Sequence, residues 1–351
     1  MSKNLSALWA DVLDAGLVEG DVPTQTEIAS PWYVKALLGF SGWLAAGFLL
    51  GFFGMALDGL FDSAGAAFLL GAVLIGIAFA LLSRETGDFL EHLSIASSLA
   101  GQVLFIVGFI NITNEHAAWA CFLTGVMQLA LLLVMPNYIH RVLCGLFAAI
   151  AFWALLGELK EPHIFGGLAL ACAAVLWLHE FKIPKYMKIR QAAGYGLVLA
   201  LVVLKGVLLA GGMRIGHTST ATIAPWVGEI LTGGVAFYVV WHMLRESGRD
   251  LSDKMGRLAI VGTVLFCAAS FQAPGISTGL VILLLGFHGA NRVLMGLGAA
   301  SLLYYISAYY YLLDTTLLVK SGTLLAVGAV LLGCWWILQR ILKNGTENDH
   351  A

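Results

Sequence analysis

The amino-acid sequence predicts an all-α fold, a polytopic bundle of about twelve transmembrane helices with both termini in the cytoplasm. Three observations predict it. The first is composition: 60% of the 351 residues are hydrophobic and 11% are charged, whereas soluble domains are roughly 45–50% apolar and about 25% charged. The second is a series of long apolar runs. The third is the way lysine and arginine are distributed between those runs.

The first segment, residues 1–31, is predicted to form a cytoplasmic amphipathic helix followed by a polar linker. Apolar side chains recur at helical spacing after Asn4, and Gly16 is placed to end the helix. The segment is acidic where a secretory signal needs a basic start and an apolar core. We therefore expect the first apolar run to stay as an anchor in a bundle that occupies 32–342, with 343–351 as a polar cytoplasmic tail.

The apolar runs are hydrophobic around their whole circumference, as helices in lipid must be and surface helices are not. They lack the alternation of transmembrane barrel strands. Short connections separate them, so no soluble domain is inserted. The runs cover residues 33–57, 64–82, 92–110, 117–135, 141–157, 164–180, 192–211, 224–243, 257–271, 275–288, 292–313 and 316–342.

Lysine and arginine predict the orientation, because these residues are enriched in cytoplasmic loops. With the N-terminus inside, the odd-numbered connections hold three of them, Lys160, Arg214 and Lys320, and Lys205 lies inside a run. The other fifteen fall in the tails, the even-numbered connections or at the first boundary. This bias favours a bacterial inner membrane. The fifteen are Lys3, Lys35, Arg84, Arg141, Lys182, Lys185, Lys188, Arg190, Arg245, Arg249, Lys254, Arg257, Arg292, Arg340 and Lys343.

Two charged residues lie inside predicted spans, Lys205 in the seventh and Glu229 in the eighth. At ~1.5 Å per residue both lie roughly 7–9 Å below the predicted periplasmic surface. Consecutive antiparallel helices are usually neighbours, so we predict a Lys205–Glu229 ion pair. Three roles stay open: Lys205 snorkels to the surface, the pair locks two helices together, or the pair couples ion or substrate movement.

Five tyrosines crowd the predicted periplasmic end of the eleventh span. Asp314 follows them and is placed to cap the twelfth helix, whose first turns contain Lys320 and Ser321. The tyrosines suit the aromatic belt of a membrane interface. The alternative is an outward-facing pocket in which stacking tyrosines and a lysine bind an anion or a polar headgroup. The five are Tyr304, Tyr305, Tyr309, Tyr310 and Tyr311.

The ninth and tenth predicted spans are short, at about 15 and 14 residues. Each gives roughly 21 Å of helix against ~30 Å of hydrocarbon. Pro274 and Gly275 make a helix break between them. The pair is either two short spans with local mismatch or a re-entrant hairpin that does not cross the membrane. Interrupted helices often form binding sites in transporters, although a purely structural break explains the sequence equally well.

A compact polar link, His288, Asn291 and Arg292, joins the tenth and eleventh spans on the predicted cytoplasmic side. We expect it to anchor the loop through hydrogen bonds or, alternatively, to bind an anion or a lipid headgroup. No cofactor and no metal site are predicted. The five cysteines are scattered singly, no glycine-rich nucleotide loop occurs, and the adjacent His179 and Glu180 point in different directions on a helix. Nucleic acid is not an expected partner, because no basic run occurs.

The C-terminal half resembles a known bacterial family. The stretches that carry the resemblance are GFHGANRVLMGL (286–297), YYYL (309–312) and TLLVKS (316–321). In them, and in the many spans before them, the chain resembles domain of unknown function 4401. Its N-terminal segment is similar to that of a related membrane family. The resemblance implies no chemistry, but it implies a possible partner, a membrane-anchored periplasmic protein with a GDYXXLXY motif.

Three functions are compatible with these observations. The first is a subunit or scaffold of an inner-membrane assembly that works with the small anchored periplasmic partner. The second is a secondary transporter or channel that uses Lys205 and Glu229. The third is an intramembrane enzyme acting on lipid, which the lack of catalytic signatures disfavours.

Overall fold

The computed structural model describes residues 13–14, 32–56, 63–84, 87–114, 116–180, 184–209, 223–224, 226–248, 253–271, 273, 275–312 and 316–348. Only Leu13 and Asp14 of the predicted N-terminal helix are among them, and both are helical. Pro274 and Asp314, which the sequence singles out, lie outside the described residues. Across the described ranges the secondary structure is helical, without a strand.

From Trp32 onwards the described chain forms twelve α-helices, and each overlaps one of the twelve predicted runs in order. Short 3-10 turns, Pro162–Ile164 and Pro184–Tyr186, precede the sixth and seventh. The helices are α1 (Trp32–Ala56), α2 (Ala64–Leu82), α3 (Asp88–Ile112), α4 (Ala117–Val134), α5 (Tyr138–Glu158), α6 (Phe165–Leu178), α7 (Met187–Leu209), α8 (Trp226–Glu246), α9 (Lys254–Ala269), α10 (Ile276–His288), α11 (Arg292–Leu312) and α12 (Leu317–Asn348).

Eight of these helices are long and apolar enough to cross a membrane, namely α2 to α5, α7, α8, α11 and α12. Two more, α6 with its preceding 3-10 turn and α10, are apolar but shorter. The apolar character extends around each helix, so many large hydrophobic side chains stay exposed on the bundle surface, where lipid is the solvent that suits them. The protein is therefore an all-helical, multi-pass membrane protein.

The centre of the bundle is formed by two short helices. The first, α6, packs against α5, α7, α8 and α10, and nine of its residues are buried. The second, α10, has 13 residues, of which eight are buried. At ~1.5 Å per residue each is about 20 Å long, well short of ~30 Å of hydrocarbon. Protein covers most of both helices, although Leu168, Cys172 and Val175 form an exposed stripe along α6.

Hydrogen bonds and packing show that the even-numbered connections share one end of the bundle. Asn137, before α5, donates its amide N–H to Glu91 at the start of α3, over 2.7 Å. The end of α8 meets the end of α10 through Glu246 and His288, 3.0 Å apart. We name this the basic end, because its connections carry most of the arginines and lysines.

The odd-numbered connections meet at the other end, here named the opposite end. Glu161, between α5 and α6, accepts the backbone N–H of Ile223, which precedes α8, at 3.0 and 3.2 Å from its two carboxylate oxygens. The helix ends joined by these contacts, of α3 and α5, of α8 and α10, and of α5 and α8, are those that an alternating thread brings together.

The break between α9 and α10 lies inside the bundle. Both helices pack on α8, but α9 also packs on α12, whereas α10 packs on α6 and α11. Ala273 and Ile276 in the turn are each 1% exposed. The turn contacts Tyr305, which lies seven residues, or about 10 Å of helix, before the end of α11. The turn therefore stops about two helical turns short of the end of its neighbour.

Candidate functional site

Lys205 and Glu229 are in direct contact. Lys205 Nζ lies 3.1 Å from Glu229 Oε1, and the two side chains are 12% and 20% exposed. This is the contact that the sequence predicts. Lys205 lies four residues before the end of α7 and Glu229 three residues after the start of α8. Both are thus within about 6 Å of their helix ends at the opposite end of the bundle.

The two helices that carry the pair meet over α6 rather than side by side. Both α7 and α8 pack against α6, and each has its main contacts there or with other helices. Gly166 of α6 lies directly beneath the lysine, because a Cβ at this position would be 2.9 Å from Lys205 Cε. A Cβ at Gly228 would clash with the carbonyl oxygen of His163. Glycines therefore let α6 and α8 approach and leave room for the lysine stem. The sequence analysis predicts the pair by taking α7 and α8 as direct neighbours, whereas both helices pack against α6.

Tyr305 connects the ion pair to the break between α9 and α10. Its hydroxyl donates to the carbonyl of Leu201, one turn before Lys205, over 3.2 Å. Its ring lies against Gly275, whose φ of 97° is in the left-handed region. One residue earlier, the Tyr304 ring covers Gly206, next to Lys205. The charged pair and the broken helix, which the sequence treats separately, therefore belong to one region.

Further buried hydroxyl groups lie at the end of α9 and on α10 and α11. Ser270 Oγ, at the end of α9, lies 2.6 Å from Ser277 Oγ, at the start of α10. Tyr309 is 0% exposed, and neither its hydroxyl nor that of the buried Thr278 has a hydrogen-bond partner among the described residues. We name the set of these groups the polar layer: it consists of Lys205, Glu229, Ser270, Ser277, Thr278, Tyr305 and Tyr309.

The tyrosines of α11 divide between the interior and the surface. Tyr305 and Tyr309 are each 0% exposed, so the aromatic-belt interpretation is wrong for these two. Tyr304, Tyr310 and Tyr311 are exposed and stay compatible with it. The division follows helical periodicity, since positions four residues apart share a face.

The lysine near these tyrosines is engaged with the backbone. Lys320 Nζ donates to the carbonyl oxygen of Tyr310 over 2.8 Å. It therefore satisfies a carbonyl in the last turn of α11, which otherwise lacks an intrahelical partner. Ser321 donates to the carbonyl of Leu318 in its own helix. Both side chains thus donate to backbone carbonyls, and the outward-facing anion pocket stays a prediction.

The polar link at the basic end is held by Asn291. Its Oδ1 accepts the N–H groups of Val293 and Leu294, each over 3.1 Å, which caps α11. Its amide donates to the hydroxyl of Tyr195 on α7 over 2.7 Å. Arg292 is exposed. These contacts favour the loop-anchor interpretation for Asn291.

The third residue of the link, His288, belongs to a cluster that the sequence analysis does not single out. Its Nε2 lies 3.0 Å from Glu246 Oε2, and Nδ1 of His242 lies 3.7 Å from Glu246 Oε1. In the described part of the chain, these three residues could together hold a metal ion. The i,i+4 spacing of His242 and Glu246 is visible in the sequence, but the approach of His288 depends on how α8 and α10 pack.

A second unpredicted cluster joins α3, α4 and α5. The amide of Gln128 donates to the side-chain oxygen of Gln102 over 2.9 Å, and Gln102 Nε2 lies 3.2 Å from Nε2 of His140. The same imidazole nitrogen is 2.8 Å from Ser98 Oγ. All four side chains are buried. Such networks hold helices together in lipid, where an unpaired polar group is unfavourable.

The polar layer combines the groups that reversible ion binding requires. Glu229 can take up a proton, Lys205 can exchange its carboxylate partner for another anion, and the hydroxyls of Thr278 and Tyr309 have unused hydrogen-bonding capacity. Burial between helices keeps the electrostatic interactions of these groups strong.

Comparison with known proteins assigns the chain at the level of family. The model of the family described as Domain of unknown function (DUF4401) matches residues 31–341. No curated protein and no solved structure matches the chain.

Proposed function

Since this chain belongs to the family described as Domain of unknown function (DUF4401), we propose a function from its geometry. The protein is a secondary transporter of the bacterial inner membrane. Its N-terminus and C-terminus are cytoplasmic, the basic end of the bundle faces the cytoplasm, and the twelve helices thread the membrane alternately. The polar layer, near the periplasmic face, binds the transported ion or substrate.

The observation that carries this proposal is the burial of the Lys205–Glu229 pair beside an interrupted helix. A charged side chain costs about 2.5–3.5 kcal/mol on the insertion scale at the centre of a membrane helix, and less near the helix ends, where Lys205 and Glu229 lie. In a chain that serves only as a scaffold, apolar packing would hold these helices together at least as well as two charged residues. Secondary transporters commonly bind ions and substrates at broken helices inside the bundle.

The chemistry of the pair supports a coupling role. Protonation of Glu229 neutralises the carboxylate and releases the Lys205 ammonium, 3.1 Å away. The ammonium then binds an anionic group of the substrate, and the hydroxyls of Thr278 and Tyr309 offer hydrogen bonds. Proton and anion therefore enter together. Loss of the proton restores the ion pair and expels the anion.

Proton flux into proteoliposomes tests the proposal. Vesicles that enclose a pH-sensitive dye receive pools of carboxylates, amino acids and inorganic anions under an imposed pH gradient. We expect the wild-type protein to acidify the lumen with at least one pool and Glu229→Gln to abolish this flux at unchanged protein content. Glu158→Gln removes an exposed carboxylate at the end of α5 and is the matched control. A Glu229→Gln protein with wild-type flux contradicts the proposal.

A second candidate is a subunit that binds a small membrane-anchored periplasmic protein with a GDYXXLXY motif. The observation that favours it is the exposure of α12. Only 11% of its most apolar stretch is buried in the bundle, against 22–50% for the other seven candidate spans. Because α12 packs on α9 at the edge of the bundle, most of its surface is open to lipid or to another membrane helix.

Purification from native membranes distinguishes the two candidates. A retained small molecule that is lost in Glu229→Gln favours transport. A stoichiometric periplasmic protein that is lost when exposed residues of α12 are changed, such as Leu318→Ala with Leu325→Ala, favours the subunit. Leu69→Ala on α2 is the control, because this side chain is 71% exposed on another helix.

A further inference from the structure

Three side chains with metal-binding atoms converge at the basic end of the bundle. His242 and Glu246 lie on the last two turns of α8, and His288 is the last residue of α10. One ligand atom from each lies within 4.8 Å of those from the other two. Two shorter separations are 3.0 Å between His288 Nε2 and Glu246 Oε2, and 3.7 Å between His242 Nδ1 and Glu246 Oε1.

The fold holds these residues in place from three sides. His242 and Glu246 are four residues apart, so they share one face of α8. That face packs against α10, whose last residue is His288. The ring of His179, at the end of α6, stands edge-on to His242 with 5.4 Å between the centroids. Asn291 fixes the chain that leaves α10 by capping α11 and by bonding Tyr195.

We propose that His242, Glu246 and His288 form a binding site for a divalent transition metal, of which Zn²⁺ fits best. Zinc binds imidazole nitrogen and carboxylate oxygen at about 2.0–2.2 Å, which in a tetrahedron separates the ligand atoms by roughly 3.3–3.6 Å. The separations of 3.0 and 3.7 Å run to the two different oxygens of Glu246, and with one atom from each residue the set lies within 4.8 Å, so the side chains must draw together slightly around the ion. Two imidazoles disfavour Mg²⁺ and Ca²⁺, which select oxygen ligands.

An ion held by these three side chains would keep a fourth coordination position for water or another ligand. Glu246 is 51% exposed, whereas His242 and His288 are 16% and 25% exposed. Three protein ligands with an open position are typical of sites whose metal exchanges or binds a further ligand, while structural zinc sites are closed by four. The site is separate from the polar layer, which lies towards the opposite end, and does not depend on the proposed transport.

The competing explanation is a hydrogen-bonded clasp between α8 and α10. A carboxylate between two imidazoles can be held by N–H groups without any metal. The two explanations differ in what Zn²⁺ does. A metal site binds one equivalent and is stabilised by it, because a ligand that binds only the folded state raises the melting temperature. A clasp binds none specifically.

The test uses the full-length protein in detergent, purified without a histidine tag and stripped with a chelator. Competition with a chromogenic chelator should give one Zn²⁺ per chain, and Co²⁺ should give the visible absorption bands of a tetrahedral site. We expect Glu246→Gln and His288→Ala each to weaken Zn²⁺ binding on the order of 100-fold or more, since loss of even an outer-shell partner costs 10–100-fold. His116→Ala is the control, because this histidine is exposed at the opposite end.

Two results overturn the site. One is a wild-type protein that binds no Zn²⁺ above a detergent blank, which decides the matter even if a variant fails to fold. The other is wild-type affinity in both Glu246→Gln and His288→Ala. A shift of the melting temperature by Zn²⁺ in the wild type, absent in both variants, supports it.

Discussion

The ring of Tyr305 lies so close to Gly275 that a Cβ on residue 275 would be 2.8 Å from Cγ of the tyrosine. The same side chain donates its hydroxyl to the carbonyl of Leu201 on α7. Tyr305 thereby ties the turn between α9 and α10 to the helix that carries Lys205. A movement of the turn must displace this ring, and with it the segment of α7 next to the ion pair.

Gly275→Ala should destabilise the protein. A side chain at φ 97° is strained, which costs about 1–3 kcal/mol, and the new methyl group also meets the Tyr305 ring. Thermal unfolding in detergent measures the effect. Gly234→Ala is the control, because a Cβ there has open space within 4 Å, and alanine is better than glycine in a helix by roughly 0.5–1 kcal/mol. Equal melting temperatures for the two variants would contradict the packing described for the turn.

The Lys205–Glu229 pair should show strong coupling in a double-mutant cycle. Removal of either partner leaves a buried charge, so Lys205→Met and Glu229→Leu should each lower the free energy of unfolding by about 3 kcal/mol. The double variant should lose much less than the sum, with a coupling energy of roughly 0.5–3 kcal/mol. Lys188→Met changes an exposed lysine on the same helix and should have almost no effect.

The charge-reversed pair separates a structural lock from a coupling site. Lys205→Glu with Glu229→Lys keeps one positive and one negative charge in contact. If the pair only locks helices, the reversed protein should regain both the stability and the proteoliposome flux of the wild type. If the pair couples ion movement, stability should return without activity, because the carboxylate and the ammonium have exchanged helices.

Tyr309→Phe and Tyr305→Phe should differ, although both side chains are 0% exposed. Tyr305→Phe loses a hydrogen bond to Leu201, worth about 1 kcal/mol. Tyr309→Phe removes a hydroxyl without a partner in the described structure and should leave stability equal or higher. Should Tyr309→Phe also lower transport in proteoliposomes, its hydroxyl is used by the ligand. The proposal that the Tyr309 hydroxyl binds a ligand fails if Tyr309→Phe destabilises the protein as much as Tyr305→Phe.

The positions of the helices were predictable because they depend on local sequence. Apolar runs and the short connections between them locate the helices to within a few residues, and the parity of Lys and Arg matches their alternating direction. The shared environment of Tyr305 and Tyr309 could also have been predicted from the sequence, since their spacing of four residues puts them on one face of α11. The sequence analysis treated the five tyrosines as one group and missed this division.

The clusters between helices were not predictable from one sequence. Gln102, Gln128 and His140 meet only because α3, α4 and α5 pack in that order, and nothing in their spacing of 26 and 38 residues indicates contact. His288 reaches Glu246 for the same reason. In lipid, apolar surfaces of different helices are interchangeable, so hydrophobicity does not specify neighbours as it does in a soluble core. Glycines such as Gly166 and Gly228 allow close approach, but the sequence does not reveal against which helix.

Asn291 and Arg292, adjacent in the sequence, should behave differently on substitution. Asn291→Ala loses the cap of α11 and the bond to Tyr195, so the free energy of unfolding should fall by about 1–2 kcal/mol. Arg292→Ala changes an exposed side chain and should stay within about 0.5 kcal/mol of wild type. If thermal unfolding instead ranks Arg292→Ala as the more harmful, the arginine has a structural partner and the loop-anchor interpretation is wrong.

The orientation of the bundle predicts which positions a membrane-impermeant thiol reagent can reach. In a cysteine-free background, Lys160→Cys between α5 and α6 should react in intact cells, because the proposed orientation puts the opposite end in the periplasm. Lys185→Cys before α7 should react only after the membrane is permeabilised, because the positive-inside rule keeps the basic end in the cytoplasm. Labelling of both positions from outside would mean that α6, with its 14 residues, does not cross the membrane. The polar layer would then lack a defined side, and an outward-facing ion site at Lys205 and Glu229 would no longer follow.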